Sequence, residues 1–223
     1  MIPSNPSLPA ECRFRQMSRP KNLIFDMGGV LLNLDMPKTE QAFYDLGITR
    51  FPDLFAILHD HEIFLKLETG LIEPEEFVEA LRMQARPGVQ PQQIVEAWNA
   101  LLQDFRSMSL DFLEKARLHY NIYLLSNTNA IHEVYFKEQY SRVRSNKEMD
   151  DLFMKAYYSH KIRLRKPEKE IYEYVLRDGG LLAEETIFID DNASNIETAR
   201  SLGIGVVHLT SGKTVEKELA HLI

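Results

Sequence analysis

Four short segments carry residue types that could do chemistry, and each stands after an apolar run or opens a helical pattern. The first is Asp26-Met27-Gly28-Gly29-Val30, directly after Leu23 to Phe25. A carboxylate at a strand end can serve as an exposed nucleophile or a metal ligand, and two glycines let the backbone close tightly around a ligand. The second, Ser126-Asn127-Thr128-Asn129, offers a hydroxyl and backbone amides at a loop entering a helix, which suits a bound phosphate. The third is Lys166-Pro167-Glu168, read with Pro167 in the first turn of a helix and Lys166 just outside it. In the fourth, Ile187-Phe188-Ile189 runs into Asp190-Asp191-Asn192, with Asn195 further on. Two adjacent carboxylates at the end of an apolar strand repel each other unless a cation joins them, so this segment points to a hard metal such as magnesium. Taken singly, the first three are better read as an Asp-capped turn, a helix N-cap and a surface lysine. The order in which carboxylate, hydroxyl, lysine and acidic pair follow one another gives the set its weight.

The elements that must position these groups are legible in the apolar pattern. Leu23 to Phe25, Ile122 to Leu125, Ala156 to Tyr158, Ile187 to Ile189 and Val206 to Leu209 have strand character. Between the later runs lie helical spacings such as Ile171, Val175 and Leu176, or Ile196, Ala199, Arg200 and Leu202. This alternation predicts an α/β fold, a parallel sheet covered on both faces with its site at the carboxyl ends of the strands. Phe25 and Ile122 are much further apart than the dozen or so residues a crossover needs, so something is inserted. Phe77, Val78 and Leu81 follow Glu73-Pro74 at helical spacing, and Ile94, Val95, Trp98, Leu101, Leu102 and Phe105 form an apolar stripe after Pro91. No strand signal interrupts them, and the Trp98 stripe reads as bundle core, not as a cofactor box. The expected organisation is a loose tail over 1–20, a sheet core from 21–36 and 108–223, and a helical cap over 37–107.

Composition removes other classes. The net charge of −7 argues against a main role in neutralising nucleic-acid phosphates or anionic lipid heads. Cys12 is the single cysteine, so no internal disulfide or Cys/His metal site is expected, in keeping with a reducing cytoplasm. No apolar run approaches the roughly 20 residues that span a bilayer. Met1 to Ala10 has no basic residue and is broken by Pro3, Pro6 and Pro9, unlike a secretory signal; Met17 is a candidate natural start. The sequence carries no signal for an oligomeric state.

Phe25-Asp26-Met27-Gly28-Gly29-Val30, Leu125-Ser126-Asn127, Lys166-Pro167 and Phe188-Ile189-Asp190-Asp191 resemble, in this order, the four motifs of the haloacid dehalogenase superfamily, over roughly Lys21 to Thr210. The resemblance implies a Rossmann-like parallel sheet core with an inserted α-helical cap, and phosphoryl transfer through an aspartyl phosphate. By that analogy Asp26 attacks phosphorus, Ser126 and the amide of Asn127 hold phosphoryl oxygens, and Lys166 steadies nucleophile and substrate. Asp26, the backbone carbonyl of Gly28, Asp190 and Asp191 would hold Mg2+. The charges agree, because Mg2+ and the Lys166 ammonium together cancel three carboxylates that would otherwise repel a phosphate dianion. The implied function is a magnesium-dependent phosphatase for small phosphorylated metabolites, sugar phosphates first among them.

One position departs from the pattern. Most phosphatases of the superfamily carry a second Asp two residues after the nucleophile, and here that residue is Gly28. General acid/base help of this kind is typically worth about 10²- to 10⁴-fold. Glycine also stands there in the bacterial glucose-1-phosphate phosphatases, which this chain resembles through Asp26 to Leu32, Glu68-Thr69-Gly70-Leu71-Ile72, Leu125 to Asn129, Arg165-Lys166-Pro167-Glu168 and Asp190 to Ile196. An anomeric oxygen leaves more readily than a simple alkoxide, so a hexose 1-phosphate is expected to react faster than the 6-phosphate. Asp35, Asp191, His59, His61 and Glu68 are the candidate substitute proton donors. Two other readings stand beside this one. A dehalogenase would share the Asp nucleophile but have no use for Asp190-Asp191, and a non-catalytic binding or regulatory protein would explain Gly28. His59-Asp60-His61-Glu62 and Asp150-Asp151 read as solvated helix surface. Arg163 stands where relatives often have Gly, so the preceding loop is expected to differ. Hinges are expected near Leu34 to Met36 and Phe105 to Ser109 if the cap moves.

Overall fold

Every one of the five apolar runs is a strand of a single parallel sheet in the computed structural model, which describes residues 20–49 and 62–223. The strands are β1 (Asn22–Phe25), β4 (Asn121–Ser126), β5 (Lys155–Tyr158), β6 (Thr186–Asp190) and β7 (Gly205–His208), in the order β5-β4-β1-β6-β7. Side chains alternate between the two faces of a strand, and the core divides accordingly. Leu23, Phe25, Ile122, Leu124, Ile187 and Ile189 face one side, against α5 (Ser107–Ala116) and α6 (Ala130–Val143). Ile24, Tyr123, Leu125 and Phe188 face the other, against α8 (Lys169–Gly179) and α9 (Ala193–Ser201). The chain runs outward from β1 to β4 and β5, then crosses back to β6 on the other flank of β1. Such a switch opens a crevice at the carboxyl ends of the strands. Phe25 is level with both Leu124 and Ile189, so Asp26, Ser126 and Asp190 all emerge there.

The insert contains α1 (Met36–Asp45), α2 (Glu62–Glu68), α3 (Pro74–Arg82) and α4 (Pro91–Asn99). Pro74 and Pro91 open their helices as expected, and Glu76 and Gln93 reach back to accept from the N–H groups of Glu73 and Gln90. Phe43, Phe64, Phe77, Ile94 and Trp98 share a cluster of their own. Three expectations need correction. First, the apolar stripe does not continue as helix: α4 ends at Asn99, and Leu102–Phe105 is a strand, β3, antiparallel to β2 (Leu32–Leu34). The register shifts between Leu32 and Leu34, so the three steps from Leu102 to Phe105 oppose two steps on β2. This irregularity lets residues at helical spacing share one face of a ribbon. Leu32, Leu102 and Phe105 pack with the sheet, and we place the border between core and insert at this ribbon.

Second, Pro167 lies outside the helix, which starts at Lys169 with Glu168 as N-cap; the Lys166–Pro167 peptide bond is cis. Third, Asp150 is not plain helix surface. It sits in a short 3₁₀ turn and accepts hydrogen bonds from the Tyr158 hydroxyl (2.6 Å) and Lys137 Nζ (2.7 Å). Arg163 closes the short helix α7 (Ser159–Ile162) with φ +58°, so the backbone keeps a path that glycine favours. His59, His61 and residues 1–19 lie outside the described residues. Among the described residues, no helix is long and apolar enough to cross a membrane.

The insert docks on the helix that follows the second motif. Ile131 of α6 belongs to the insert's cluster, and the Trp98 ring stacks on His132 with centroids 4.8 Å apart. Burial holds the His132 imidazole down at about 4, and the hydrogen bond to the Trp98 carbonyl opposes that only in part. The ring is therefore neutral at physiological pH, with Nε2 donating to the Trp98 carbonyl (3.2 Å) and Nδ1 accepting from Asn129 Nδ2 (3.2 Å).

Candidate active site

Lys166 organises the crevice. Its ammonium, on a side chain only 1% exposed, lies 2.7 Å from Asp26 Oδ1 and 2.7 Å from Asp190 Oδ2. Asp190 is fully buried and also accepts from Asn195 Nδ2 and from the N–H of Asn192 (2.7 Å), so its orientation is fixed. Oxygens of Asp26, Asp190 and Asp191 all lie within 4.8 Å of one another. The balance of three carboxylates against one ammonium shows in their proton affinities. Burial pushes the Asp26 carboxyl up to about 7; Lys166 opposes this and the Asp190 charge adds to it. Asp191 is raised by burial and then by Asp190. Burial would lower Lys166, but the charges of Asp26 and Asp190 outweigh it and hold the ammonium protonated. A cluster of hard oxygen donors short of positive charge fits a divalent cation such as magnesium.

Gly29 is what lets Asp191 approach. Its φ is +70°, and a Cβ there would collide with the Asp191 carboxylate. Gly29→Ala is expected to displace Asp191 and cost about 1–3 kcal/mol through the left-handed backbone and the clash. A urea denaturation curve checks this, and an unchanged midpoint would refute it.

The second motif reaches the third through side chains. Asn127 Oδ1 accepts from the Lys166 N–H (2.9 Å), and its Nδ2 donates to the Lys166 carbonyl (2.8 Å). The Asn127 side chain is thus spent on positioning Lys166, a role that sequence reasoning missed. Next to it, Ser159 Oγ accepts from the Thr128 N–H and donates to the Thr128 carbonyl. Ser126 stands at the end of β4, almost fully buried, and among the described residues its hydroxyl makes only a long 3.5 Å contact to the Asn127 carbonyl. Behind this loop Glu133 accepts from His160, Lys137 and Lys161. Burial alone would raise its carboxyl, but these donors hold it far below the usual carboxylate range.

Above the cluster lies a cleft of about 560 Å³, lined by Asp26, Gly28, Asn127, Lys166 and Asp191 among the expected residues, whereas Ser126 and Asp190 are buried and not part of the lining. The place beside Gly28 is taken, since a Cβ there would stand 3.0 Å from Leu34 Cδ1. Of the candidate proton donors, Asp35 is spent on capping α1 through the Lys38 N–H. Asp191 belongs to the acidic cluster, while Glu68 reaches the cleft from the insert. Arg165 and Leu34 also line the cleft; their adjacency to Lys166 and to the first turn was the available sequence signal.

A sheet switching direction at an Asp/Lys/Asp-Asp cluster is the arrangement of one hydrolase class, and the comparisons agree. The family model for haloacid dehalogenase-like hydrolases matches residues 20–203, and the chain belongs to that family. It is 29% identical over 204 residues to a D-ribitol-5-phosphate phosphatase of Bacteroides thetaiotaomicron, covering 91% of this chain and 98% of that one. It is 28% identical to a sesquiterpene phosphatase of Aspergillus oryzae, covering 91% and 96%. A family enzyme from Bacteroides thetaiotaomicron, solved in complex with magnesium and inorganic phosphate, superposes with a TM-score of 0.83 at 37% identity, covering 89% and 98%.

Proposed function

We propose that this hydrolase is a cytoplasmic, magnesium-dependent phosphatase of small phosphorylated metabolites, sugar or polyol phosphates, acting through a phosphoryl group carried on Asp26. The carrying observation is that Lys166 holds two carboxylates, of which Asp26 lines the cleft while Asp190 is fully buried. Asp26 Oδ forms a bond to phosphorus as the bond to the leaving oxygen breaks, and that oxygen departs with a proton taken from water or from the cleft. Water then cleaves the acyl phosphate, returning the carboxylate and releasing inorganic phosphate. The Ser126 hydroxyl and the Asn127 N–H hold phosphoryl oxygens, and Lys166 keeps Asp26 aimed. Asp26, Asp190, Asp191 and the Gly28 carbonyl would hold magnesium, which when bound supplies the positive charge a phosphate dianion needs here. With Gly28 offering no acid, hexose 1-phosphates are favoured over 6-phosphates, and the ribitol-phosphate relative extends the class to polyol phosphates.

Phosphate release from glucose 1-phosphate, glucose 6-phosphate and ribitol 5-phosphate, with magnesium or with chelator, tests the reading. Magnesium-dependent release that favours the 1-phosphate over the 6-phosphate is expected. Binding without turnover would replace the proposal by the binding-protein reading, and magnesium-independent halide release from a 2-haloacid by the dehalogenase reading.

Magnesium is expected to bind more tightly at pH 8 than at pH 5.5. In the metal-free protein Asp26 keeps its proton up to about 7, against an ordinary value of 3.8, so binding must expel that proton below neutrality. Because the folded state binds the proton more strongly than the unfolded chain, stability from this group is present at acid pH and is lost as pH rises towards 7. Magnesium should therefore raise the melting temperature more at pH 8 than at pH 5.5. Equal shifts at both pH values would sink this account.

A further inference from the structure

Glu68 ends α2 on the insert, Arg165 stands one residue before Lys166 on the core, and both line the cleft over Asp26. A single hydrogen bond joins them, from Arg165 Nε to Glu68 Oε1 at 2.6 Å. Guanidinium and carboxylate can pair through two parallel bonds. Here the one-point contact leaves Glu68 Oε2 and both terminal nitrogens of Arg165 with no partner among the described residues. The side chains are 26% and 20% exposed, so water satisfies these atoms only in part. Nor can the segment carrying Glu68 slide away easily. Gly70 (φ +62°) packs its α-carbon against the His160 carbonyl so closely that any side chain there would collide with it.

Beyond this pair and the Asp26, Lys166 and Asp191 cluster, the cleft wall carries no charge among the described residues; it is made of groups such as Leu34, Pro167, Asn192 and Ser194. We infer that Glu68 and Arg165 read two neighbouring hydroxyls on the leaving half of the substrate. One hydroxyl donates to Glu68 Oε2, and the other accepts from a terminal N–H of Arg165. The inference rests on the phosphatase reading and narrows it to phosphorylated vicinal diols. A second phosphate or a carboxylate on the leaving half would meet the Glu68 charge. A hydrocarbon chain would strip water from a half-buried ion pair and return no hydrogen bond.

The test uses the full chain with magnesium and two substrates, ribitol 5-phosphate and p-nitrophenyl phosphate, which has a phosphoryl group but no hydroxyl. Wild type is compared with Glu68→Gln and with Arg165→Lys, which keeps the charge but presents one nitrogen. In each variant the ratio of kcat/KM for the polyol phosphate to that for the aryl phosphate is expected to fall about 10- to 100-fold, mainly through KM. Arg165→Lys carries the test alone if Glu68→Gln does not fold. An unchanged ratio, whether both substrates suffer equally or neither does, overturns the inference and leaves the pair as a strut between insert and core. A wild type that releases phosphate from neither substrate nor from glucose 1-phosphate overturns the phosphatase reading itself.

Discussion

Asp26→Asn is expected to lower phosphate release at least about 10⁴-fold, as removal of a covalent nucleophile does elsewhere, while leaving the protein folded. The amide has the size of the carboxylate, and Lys166 keeps Asp190 as its partner at 2.7 Å. The same substitution should raise the melting temperature of the metal-free protein at pH 8. There the native carboxyl, displaced to about 7, is ionised in a buried place beside the Asp190 charge. At pH 5 the gain should be smaller, since the folded wild-type group then keeps its proton and only the unfolded chain has ionised. Phosphate assays with excess enzyme and melts at the two pH values check both halves. A variant retaining a hundredth of the activity would move the nucleophile elsewhere, and a melting temperature raised equally at both pH values would contradict the titration account.

Lys166→Met has the opposite effect on stability. It withdraws the ammonium that Asp26 and Asp190 share and leaves carboxylates in a place with almost no solvent. Removing one partner of a buried ion pair typically costs about 3–5 kcal/mol. At about 2–4 °C per kcal/mol for a chain of this size, the metal-free melting temperature should drop by roughly 6–20 °C. Turnover should fall by about 10² or more, because the phosphoryl group loses a fixed cation. Combining Lys166→Met with Asp190→Asn removes one of the stranded charges and should recover much of the stability but none of the rate. Melting like wild type would mean that Lys166 does not neutralise the cluster.

The parts of this site that could be read in the sequence are those that depend on a single strand end. Asp26, Ser126 and Asp190-Asp191 each follow an apolar run, and parallel register brings such positions together without further information. What stayed hidden depends on docking between distant segments. The Asn127 side chain could have served as a ligand group, and only the approach of the Lys166 backbone shows it to be a brace. Glu68 was visible only as a possible proton donor, because nothing local pairs it with Arg165. The stripe ending at Phe105 misled for a local reason: an irregular ribbon can place residues three apart on one face, as a helix does. Asp150 was misread because its partners Lys137 and Tyr158 belong to elements on either side of it in the chain.

The ribbon formed by β2 and β3 also bears on how such an enzyme can be remodelled. Leu34 and Leu102 are paired, so the chain departs for the insert and comes home at one place. Neighbouring antiparallel ends can be joined by a tight turn of two to five residues. Leu32, Leu102 and Phe105 remain anchored in the sheet's own packing whatever lies beyond them. We therefore expect the excursion between Leu34 and Leu102 to be exchangeable as a module. A graft with a different bundle must supply a matched pair of extended ends, a cover for Ile131 and His132 on α6, and a close fit to Arg165 and the His160 carbonyl. Substrate preference could then be altered by module exchange while Asp26, Lys166 and Asp190 keep their places.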